Sequence, residues 1–508
     1  MTRSILLAIL AALTTAMAFP PYDVAAAVAA GPALLVVAVL VAPSRKAAVA
    51  AGLVFGGVYI GFLMYWMSNL GREAIAGLIL AQVGFYAVFS LVLWGFKDHS
   101  AWEVAAIVIG GWSAMEFARE RGPFGGLSWG AVGYPLGDFE VTRAVAGWVG
   151  TSGLGVLVMS LAAGMALAVL RKDPRPLGLA SLVVLVALGV GATTGHETGG
   201  GAVDVAIVQG NSPCPGASCP NERTIIFENH LVLTSRLPAG AFDLVVWPES
   251  STGFGTDPLV SSVVATALAD QARRLDSYLV IGGDRPADPG FFVNSNLFYD
   301  RSGNLIAEYR KNHPVPFGEY IPVRDLIGDL LPVLSRVPLD MVRGDGPVVV
   351  DADFGQVGSV ISYEGSFARY VREAVRAGAE VIVVASNEAS YGDSPAARQF
   401  IGMTRMRAAE NGVDIVHGAV TGSSTLITDG GRLGRITDLY SEDVVVGTVR
   451  LRTGELTLFT RWGDWFAVAA MVAASVAVVW RGLTSGIERQ IEKGRLKETA
   501  LPAGSEVK

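Results

Sequence analysis

Three side chains in this chain are of types that can do nucleophilic chemistry: Glu249, Lys311 and Ser362. Ser362 follows the apolar run Val357–Ile361 and precedes a segment, Phe367–Ala377, whose Tyr370, Val371, Ala374 and Val375 share one helical face. A hydroxyl where strand gives way to helix lies beside unpaired amide groups and the positive end of the helix dipole. That setting suits a nucleophile and its oxyanion; the alternative is a simple turn cap. Glu249 ends the strand Leu244–Val246 in Trp247-Pro248-Glu249-Ser250. A carboxylate beside Trp and Pro is partly desolvated, which favours general-base work; the alternative is an ordinary strand-end acid. Lys311 begins a stretch dense in Asn, His, Pro, Gly and aromatics, Lys311-Asn312-His313-Pro314-Val315-Pro316-Phe317-Gly318-Glu319-Tyr320. A fixed ammonium there stabilises an oxyanion, unless it is a surface lysine. Ser386-Asn387-Glu388-Ala389-Ser390-Tyr391 follows the next strand and is expected beside the Ser362 turn.

These residues need a frame, and residues 203–452 supply one. Val203–Gln209, Phe242–Pro248, Tyr278–Gly282, Val357–Ile361, Val381–Ala385 and Val444–Val449 read as buried strands. Glu222–Arg236, Leu259–Arg274, Phe367–Ala377 and Ala397–Asn411 read as helices. Asp300–Asn304 and Asp429–Gly431 read as hairpin turns. Strands alternating with helices, with added hairpins, predict an α/β sandwich. Within it, Val323–Val342 gathers Leu326, Ile327, Leu330, Leu331, Val333 and Leu334, either an arm that dips into lipid or lids the site, or a core helix.

The remainder belongs to a membrane. The chain is 51% hydrophobic and 17% charged, with mean hydropathy +0.45, too apolar for a soluble protein. Apolar stretches near 4–19, 24–42, 48–67, 73–95, 102–118, 145–170, 176–194 and 463–481 predict eight transmembrane helices. The first reads as a retained helix rather than a cleaved signal, because Phe19-Pro20-Pro21-Tyr22 is not a small-residue cleavage site. Arg45, Lys46, Lys97, Arg171, Lys172 and Arg175, with the tail 482–508, fall on one side. Positive loops face the cytoplasm, so the block 203–452 is expected outside; Arg72, Arg119 and Arg121 are exceptions. The net charge of −7 and the lack of a basic, aromatic-interleaved stretch argue against nucleic acid. The five histidines have no metal-ligand spacing. Cys214 and Cys219 leave three readings open: a small disulfide, a zinc site or two thiols.

The order Glu249, Lys311, nucleophile at 362 resembles the Glu-Lys-Cys triad of the nitrilase (carbon-nitrogen hydrolase) superfamily, and the surroundings resemble its bacterial apolipoprotein N-acyltransferase family. The matching stretches are Val208-Gln209-Gly210-Asn211, Trp247-Pro248-Glu249-Ser250, Lys311-Asn312-His313 with Val315–Tyr320, Ser362-Tyr363-Glu364, Arg405–Glu410 and Thr421-Gly422-Ser423. In the membrane half they are Ala18–Tyr22 and Trp129–Tyr134. The resemblance implies an exported nitrilase-like α-β-β-α sandwich at 203–452, transmembrane helices 1–7 within 1–195 and helix 8 at 463–481, in the bacterial plasma (inner) membrane. It implies transfer of a phospholipid acyl chain, through an acyl-enzyme, to the α-amino group of an S-diacylglyceryl-cysteine on an apolipoprotein. No cofactor or metal is implied, and a monomer is expected.

By the same resemblance Glu249 is the base, Lys311 stabilises the tetrahedral intermediate and Ser362 carries the acyl group, the three meeting within hydrogen-bonding reach. Glu319, Tyr363, Glu364, Asn387 and Trp247 support them or bind substrate. The chain departs from the family pattern with Ser at 362 in place of Cys, Glu388 in place of Asp and Ser390 in place of Trp. A hydroxyl needs stronger activation than a thiol. The alternative is therefore a weak or inactive homologue, native or engineered, that binds lipid or lipoprotein. A soluble amidase is disfavoured by the eight spans.

Overall fold

The computed structural model describes residues 1–193, 199–214, 219–328 and 332–480. The tail 482–508, His196, Leu330 and Leu331 lie outside the described residues.

The apolar stretches form helices where expected: α1 Thr2–Ala16, α2 Ala27–Leu40, α3 Arg45–Leu63, α4 Arg72–Gly95, α5 Ala101–Arg121, α6 Glu140–Arg171 and α7 Arg175–Thr193, with a last one at Trp465–Trp480. Four of them, α3, α4, α6 and α7, are long and apolar enough to cross a membrane; α1, α2 and Trp465–Trp480 are apolar but shorter. α5 carries Glu103, Glu116, Arg119, Glu120 and Arg121. α6 breaks at Gly150, whose φ of 72° is open to glycine. The Thr151 amide at that break donates to Glu410 Oε1 at 2.6 Å, so a carboxylate of the outer domain closes the kink.

Residues 202–450 form an α-β-β-α sandwich, called the outer domain after its expected placement. Its strands are β1 Ala202–Gln209, β2 Leu244–Thr252, β3 Tyr278–Pro286, β4 Phe291–Tyr299, β5 Leu305–Arg310, β6 Asp340–Met341, β7 Val349–Ala352, β8 Gly355–Ile361, β9 Val381–Ser386, β10 Asp414–Ala419, β11 Thr425–Ile427 and β12 Asp443–Arg450. One sheet runs β12-β1-β2-β3-β4-β5, with β6 on β4; the other runs β11-β10-β9-β8-β7. Each has a parallel centre (β1, β2 and β3; β8, β9 and β10) flanked by antiparallel strands. Val205, Ile207, Val246, Ile361, Val383 and Val416 pack between the sheets. This is why those strands read as near-continuous apolar runs.

Helices α8 Glu222–Ser235 and α9 Ser262–Leu275 cover the first sheet. After the four-residue α10 Arg324–Ile327, helices α11 Ala368–Arg376 and α12 Ala396–Asn411 cover the second. The apolar layer under α11 and α12 continues without a gap into the membrane helices. Trp129 stacks on Phe400 of α12, with ring centroids 5.9 Å apart, and donates to Gln399 at 2.8 Å. A short helix, α13 Leu458–Trp462, leads into Trp465–Trp480.

Three expectations are refined. Cys214 and Cys219 form a disulfide, which closes the zinc and free-thiol readings. The insert 323–342 is not one helix: α10, a 3-10 turn at Pro332–Arg336 and β6 divide it. Its apolar row is split as well, with Leu326 exposed and Leu334 buried. β2 also runs past Pro248 to Thr252, because a register shift against β3 lets the strand continue beyond the proline.

Candidate active site

That register shift aims Glu249. The left-handed φ of 61° at Ser250 bends the chain locally. β3 passes so close that a Cβ at Gly282 would lie 2.2 Å from the Pro248 carbonyl oxygen, so only glycine fits there. Glu249 is 4% exposed and faces donors from three directions. Its Oε1 accepts from Asn294 Nδ2 at 2.7 Å and from Lys311 Nζ at 2.9 Å. Its Oε2 accepts the backbone N–H of Asn387 at 2.8 Å.

Lys311 follows β5. Its own N–H donates to the Asn294 carbonyl at 2.9 Å, which extends the β4–β5 hairpin by one residue and fixes the side chain. The ammonium, 1% exposed, bridges Glu249 and Glu319 Oε1, the latter at 2.5 Å. Burial alone would lower the Lys311 pKa, but Glu249 and Glu319 override it and hold the ammonium above the ordinary lysine range. Burial pushes Glu319 up, opposed by Lys311. Glu319 Oε2 accepts the Val315 amide at 2.7 Å, which closes the Pro-Val-Pro-Phe-Gly loop on itself.

Ser362 lies at the end of β8, beside the end of β9 that delivers Asn387 (Ile361 pairs with Ala385). The strand does not pass directly into the long helix, as expected from sequence; a 3-10 turn, Ser362–Ser366, intervenes before α11. Ser362 is held at φ 50°, a left-handed conformation that an ordinary residue keeps only when its surroundings impose it. Glu364, fully buried, imposes it. Its Oε2 accepts from the Ile361 N–H and the Tyr309 hydroxyl, both at 2.7 Å; its Oε1 accepts from the Asn312 N–H at 2.5 Å and the His313 N–H at 3.0 Å. Burial raises the Glu364 pKa, and the Ile361 amide and Tyr309 hydroxyl oppose that rise. One carboxyl group therefore ties the residue before Ser362 to the residue after Lys311.

The structure thus joins Glu249, Lys311, Glu319 and the Asn387 amide. The Ser362 hydroxyl stands at the same edge and, among the described residues, makes no hydrogen bond to any of them. Tyr363 points to the membrane half: its hydroxyl donates to the Gly126 carbonyl at 2.8 Å, and its ring packs on His313 and Phe367. Trp247 does not line the site. Its indole is buried under α8 and donates to Thr234 at 2.8 Å, the partner a buried indole N–H requires. Asn387 acts through its backbone; its side-chain oxygen accepts the Ala389 amide at 3.1 Å. Glu388 is buried, and burial pushes its carboxyl well above the ordinary range.

Two contributors escaped sequence reasoning. Asn294 was signalled by the polar run Asn294-Ser295-Asn296 inside an otherwise apolar strand. The loop after α5 was signalled only by its Gly-Pro-Phe-Gly-Gly punctuation at 122–126. It meets the site through Gly126, through Gly125 against His313, and through the Phe124 carbonyl, which accepts from the Tyr320 hydroxyl at 3.3 Å. Among the described residues no cluster of three or more His, Cys, Asp or Glu side chains is placed to hold a metal.

Comparison with known proteins bears on the family. Residues 204–455 match the carbon-nitrogen hydrolase family, and residues 11–164 match the apolipoprotein N-acyltransferase N-terminal domain. The apolipoprotein N-acyltransferase of Geobacter metallireducens is 28% identical over 93% of this chain and 94% of its own length. That of Sinorhizobium medicae is 30% identical over 82% and 84%. A variant of the Nesterenkonia AN1 amidase from the nitrilase superfamily aligns over 52% of this chain and 93% of its own, with 18% identity and a TM-score of 0.38. Two family models in the expected order, together with relatives matched over most of their length, place this chain in the apolipoprotein N-acyltransferase family.

Proposed function

We propose that this protein transfers an acyl chain from a membrane phospholipid to the N-terminal α-amino group of a diacylglyceryl-apolipoprotein, with Ser362 as the acyl carrier. The observation that carries this reading is the buried Glu249–Lys311–Glu319 cluster beside the strained Ser362 turn. In the first half-reaction Glu249 takes the Ser362 proton as Oγ attacks the ester carbonyl carbon. The Lys311 ammonium faces the oxyanion. Collapse breaks the ester C–O bond, and the departing lysophospholipid oxygen receives the proton from Glu249. In the second, the lipoprotein amine attacks the acyl-serine, gives up a proton to Glu249 and forms the amide; Ser362 Oγ leaves and is reprotonated.

The membrane part comprises eight crossings, seven within residues 1–195 and one at 463–481, with both ends on the cytoplasmic face. The domain 203–452 stands on the outer face of a bacterial plasma membrane, where both lipid substrates reside. The gathering of Arg45, Lys46, Lys97, Arg171, Lys172 and Arg175 at one end of the helices and the contact of Tyr363 with the loop after α5 support that placement. The protein works as a monomer without a cofactor.

The Ser362 hydroxyl, with no hydrogen bond to Glu249, favours a second reading: a homologue that binds these lipids without turnover. Purified protein in mixed micelles with phospholipid and a synthetic diacylglyceryl-cysteine peptide separates the two. A mass increase of one acyl chain on the peptide, lost in Glu249→Gln, supports transfer; an unchanged peptide with retained lipid supports binding alone.

A further inference from the structure

The positive charges at the two ends of the membrane helices are treated differently. At the end facing the outer domain the arginines are engaged, apart from Arg72 at the start of α4, which forms no ion pair among the described residues. Arg119 donates to the Trp129 carbonyl, Arg121 pairs with Asp464, Arg143 donates to Gly430 and Gly137, Arg405 pairs with Asp138 and Arg407 with Glu410. At the opposite end Arg45, Lys46, Lys97, Arg171, Lys172 and Arg175 form no ion pair among the described residues. Unpaired cations held together at a membrane surface attract anions.

At that end the chain also forms a crevice. The ends of α2 and α6 and the turn between α4 and α5 enclose about 400 Å³. Leu40, Val104 and Leu167 make an apolar wall; Lys97, His99 and Arg171 make the polar rim. Among the described residues Asp98 is the one acid lining the crevice, and it forms no ion pair there. The rim is built rather than loose. Lys97 Nζ sits 4.6 Å from the centroid of the Trp94 ring, with Arg45 on the same ring at 5.9 Å, and Arg171 donates to the His99 carbonyl. His99 Nδ1 is buried there with no hydrogen-bond partner among the described residues, a donor or acceptor left for a ligand. A cationic rim above an apolar wall matches an anionic lipid: charge for the phosphate, hydrocarbon surface for the chain.

We propose that this crevice binds the phosphate of an anionic phospholipid in the leaflet opposite the outer domain, separate from the acyl-donor site. It rests on the membrane orientation stated above. The phosphate lies between Lys97, His99 and Arg171, and an acyl chain lies along Leu40, Val104 and Leu167. The role is a bound lipid that holds the α4–α5 turn against α6.

Native mass spectrometry of the full chain in neutral detergent tests this with dioleoylphosphatidylglycerol and dioleoylphosphatidylcholine. The parent is expected to retain one phosphatidylglycerol about thirtyfold better than phosphatidylcholine, as two basic side chains at a membrane surface would give. Lys97→Gln/Arg171→Gln is expected to lose that preference; the single Lys97→Gln variant, losing half the charge, covers the case in which the double variant fails to fold. Equal retention of the two lipids by the parent, or an undiminished preference in the variants, overturns the proposal. Displacement of the lipid by millimolar sn-glycerol 3-phosphate also overturns it, in favour of a soluble anion. Acyl labelling of Ser362, read in the same samples, is expected to be unchanged by either substitution, so failure of the acyltransferase reading and failure of the lipid site appear as separate results.

Discussion

Glu249 Oε2 accepts the backbone N–H of Asn387 at 2.8 Å, and this bond crosses from one sheet of the sandwich to the other. It anchors the proposed general base to the strand end that neighbours the Ser362 turn. Because the donor is an amide, the side chain at 387 is secondary. Asn387→Ala is expected to change acylation no more than a few-fold, the loss of one neutral hydrogen bond of about 1 kcal/mol. Asn387→Pro, which removes the N–H, is expected to reduce it at least about a hundredfold. Single-turnover acylation rates of the two variants check this; equal rates would remove the amide from the site.

Lys311 bridges two buried carboxyl groups at once. Lys311→Met is expected to destabilise the outer domain by about 3–5 kcal/mol, the cost of leaving a buried charge without its partner. The loss is expected to grow with pH, since the abandoned carboxyl groups escape it in acid by taking up a proton. Thermal unfolding at pH 6 and pH 8 reads both effects; a pH-independent loss would mean that the lysine acts only by packing.

Glu364 accepts from four groups and joins the two strand ends that carry Ser362 and Lys311. Glu364→Gln replaces one acceptor oxygen with a donor and sets it against an N–H. A stability loss of about 1–3 kcal/mol is expected, together with a fall in acylation rate of at least about tenfold. Full activity in a stable Glu364→Gln protein would show that the clamp does not position the nucleophile.

Three histidines of the outer domain are buried. Burial lowers His230 from its ordinary 6.5 to about 4, and lowers His313 and His417 to about 3, with Arg369 and Lys311 adding to the effect at His313. An unfolded histidine takes up a proton as pH falls through 6.5; the folded ones resist until pH 3–4. Their stabilisation is therefore full above pH 6.5 and is lost as the pH drops, by about 2 kcal/mol each at pH 5. Unfolding midpoints at pH 7.5 and pH 5 are expected to separate by less in His230→Gln than in the parent. Superimposable pH profiles would contradict the assignment.

Local pattern revealed much of this molecule. Strands such as Val381–Ser386, buried on both faces, read as apolar runs, and the amphipathic face of Val371, Ala374 and Val375 marks α11. Glu249 and Lys311 were found because each ends or follows a strand, and a strand end is where a sheet can present a side chain; Glu364 came only from the family resemblance. What stayed hidden depends on contacts between distant segments. Asn294 reaches Glu249 only through the pairing of β4 with β3 and of β3 with β2. Trp247, next to the catalytic candidate in sequence, turns into the α8 core. α5 reads as a span over 102–118, but the partners of its arginines, Trp129 and Asp464, appear only after folding.

The acyl-enzyme itself is the most direct measurement. Purified full-length protein is mixed with an alkyne-tagged phospholipid, quenched in acid and read for covalent label, beside Ser362→Ala and Ser362→Cys. Label on the parent and on Ser362→Cys but not on Ser362→Ala is the expected result, with the tagged acyl chain mapped to position 362. Label only on Ser362→Cys, or label persisting in Ser362→Ala, would contradict a working serine nucleophile at this site.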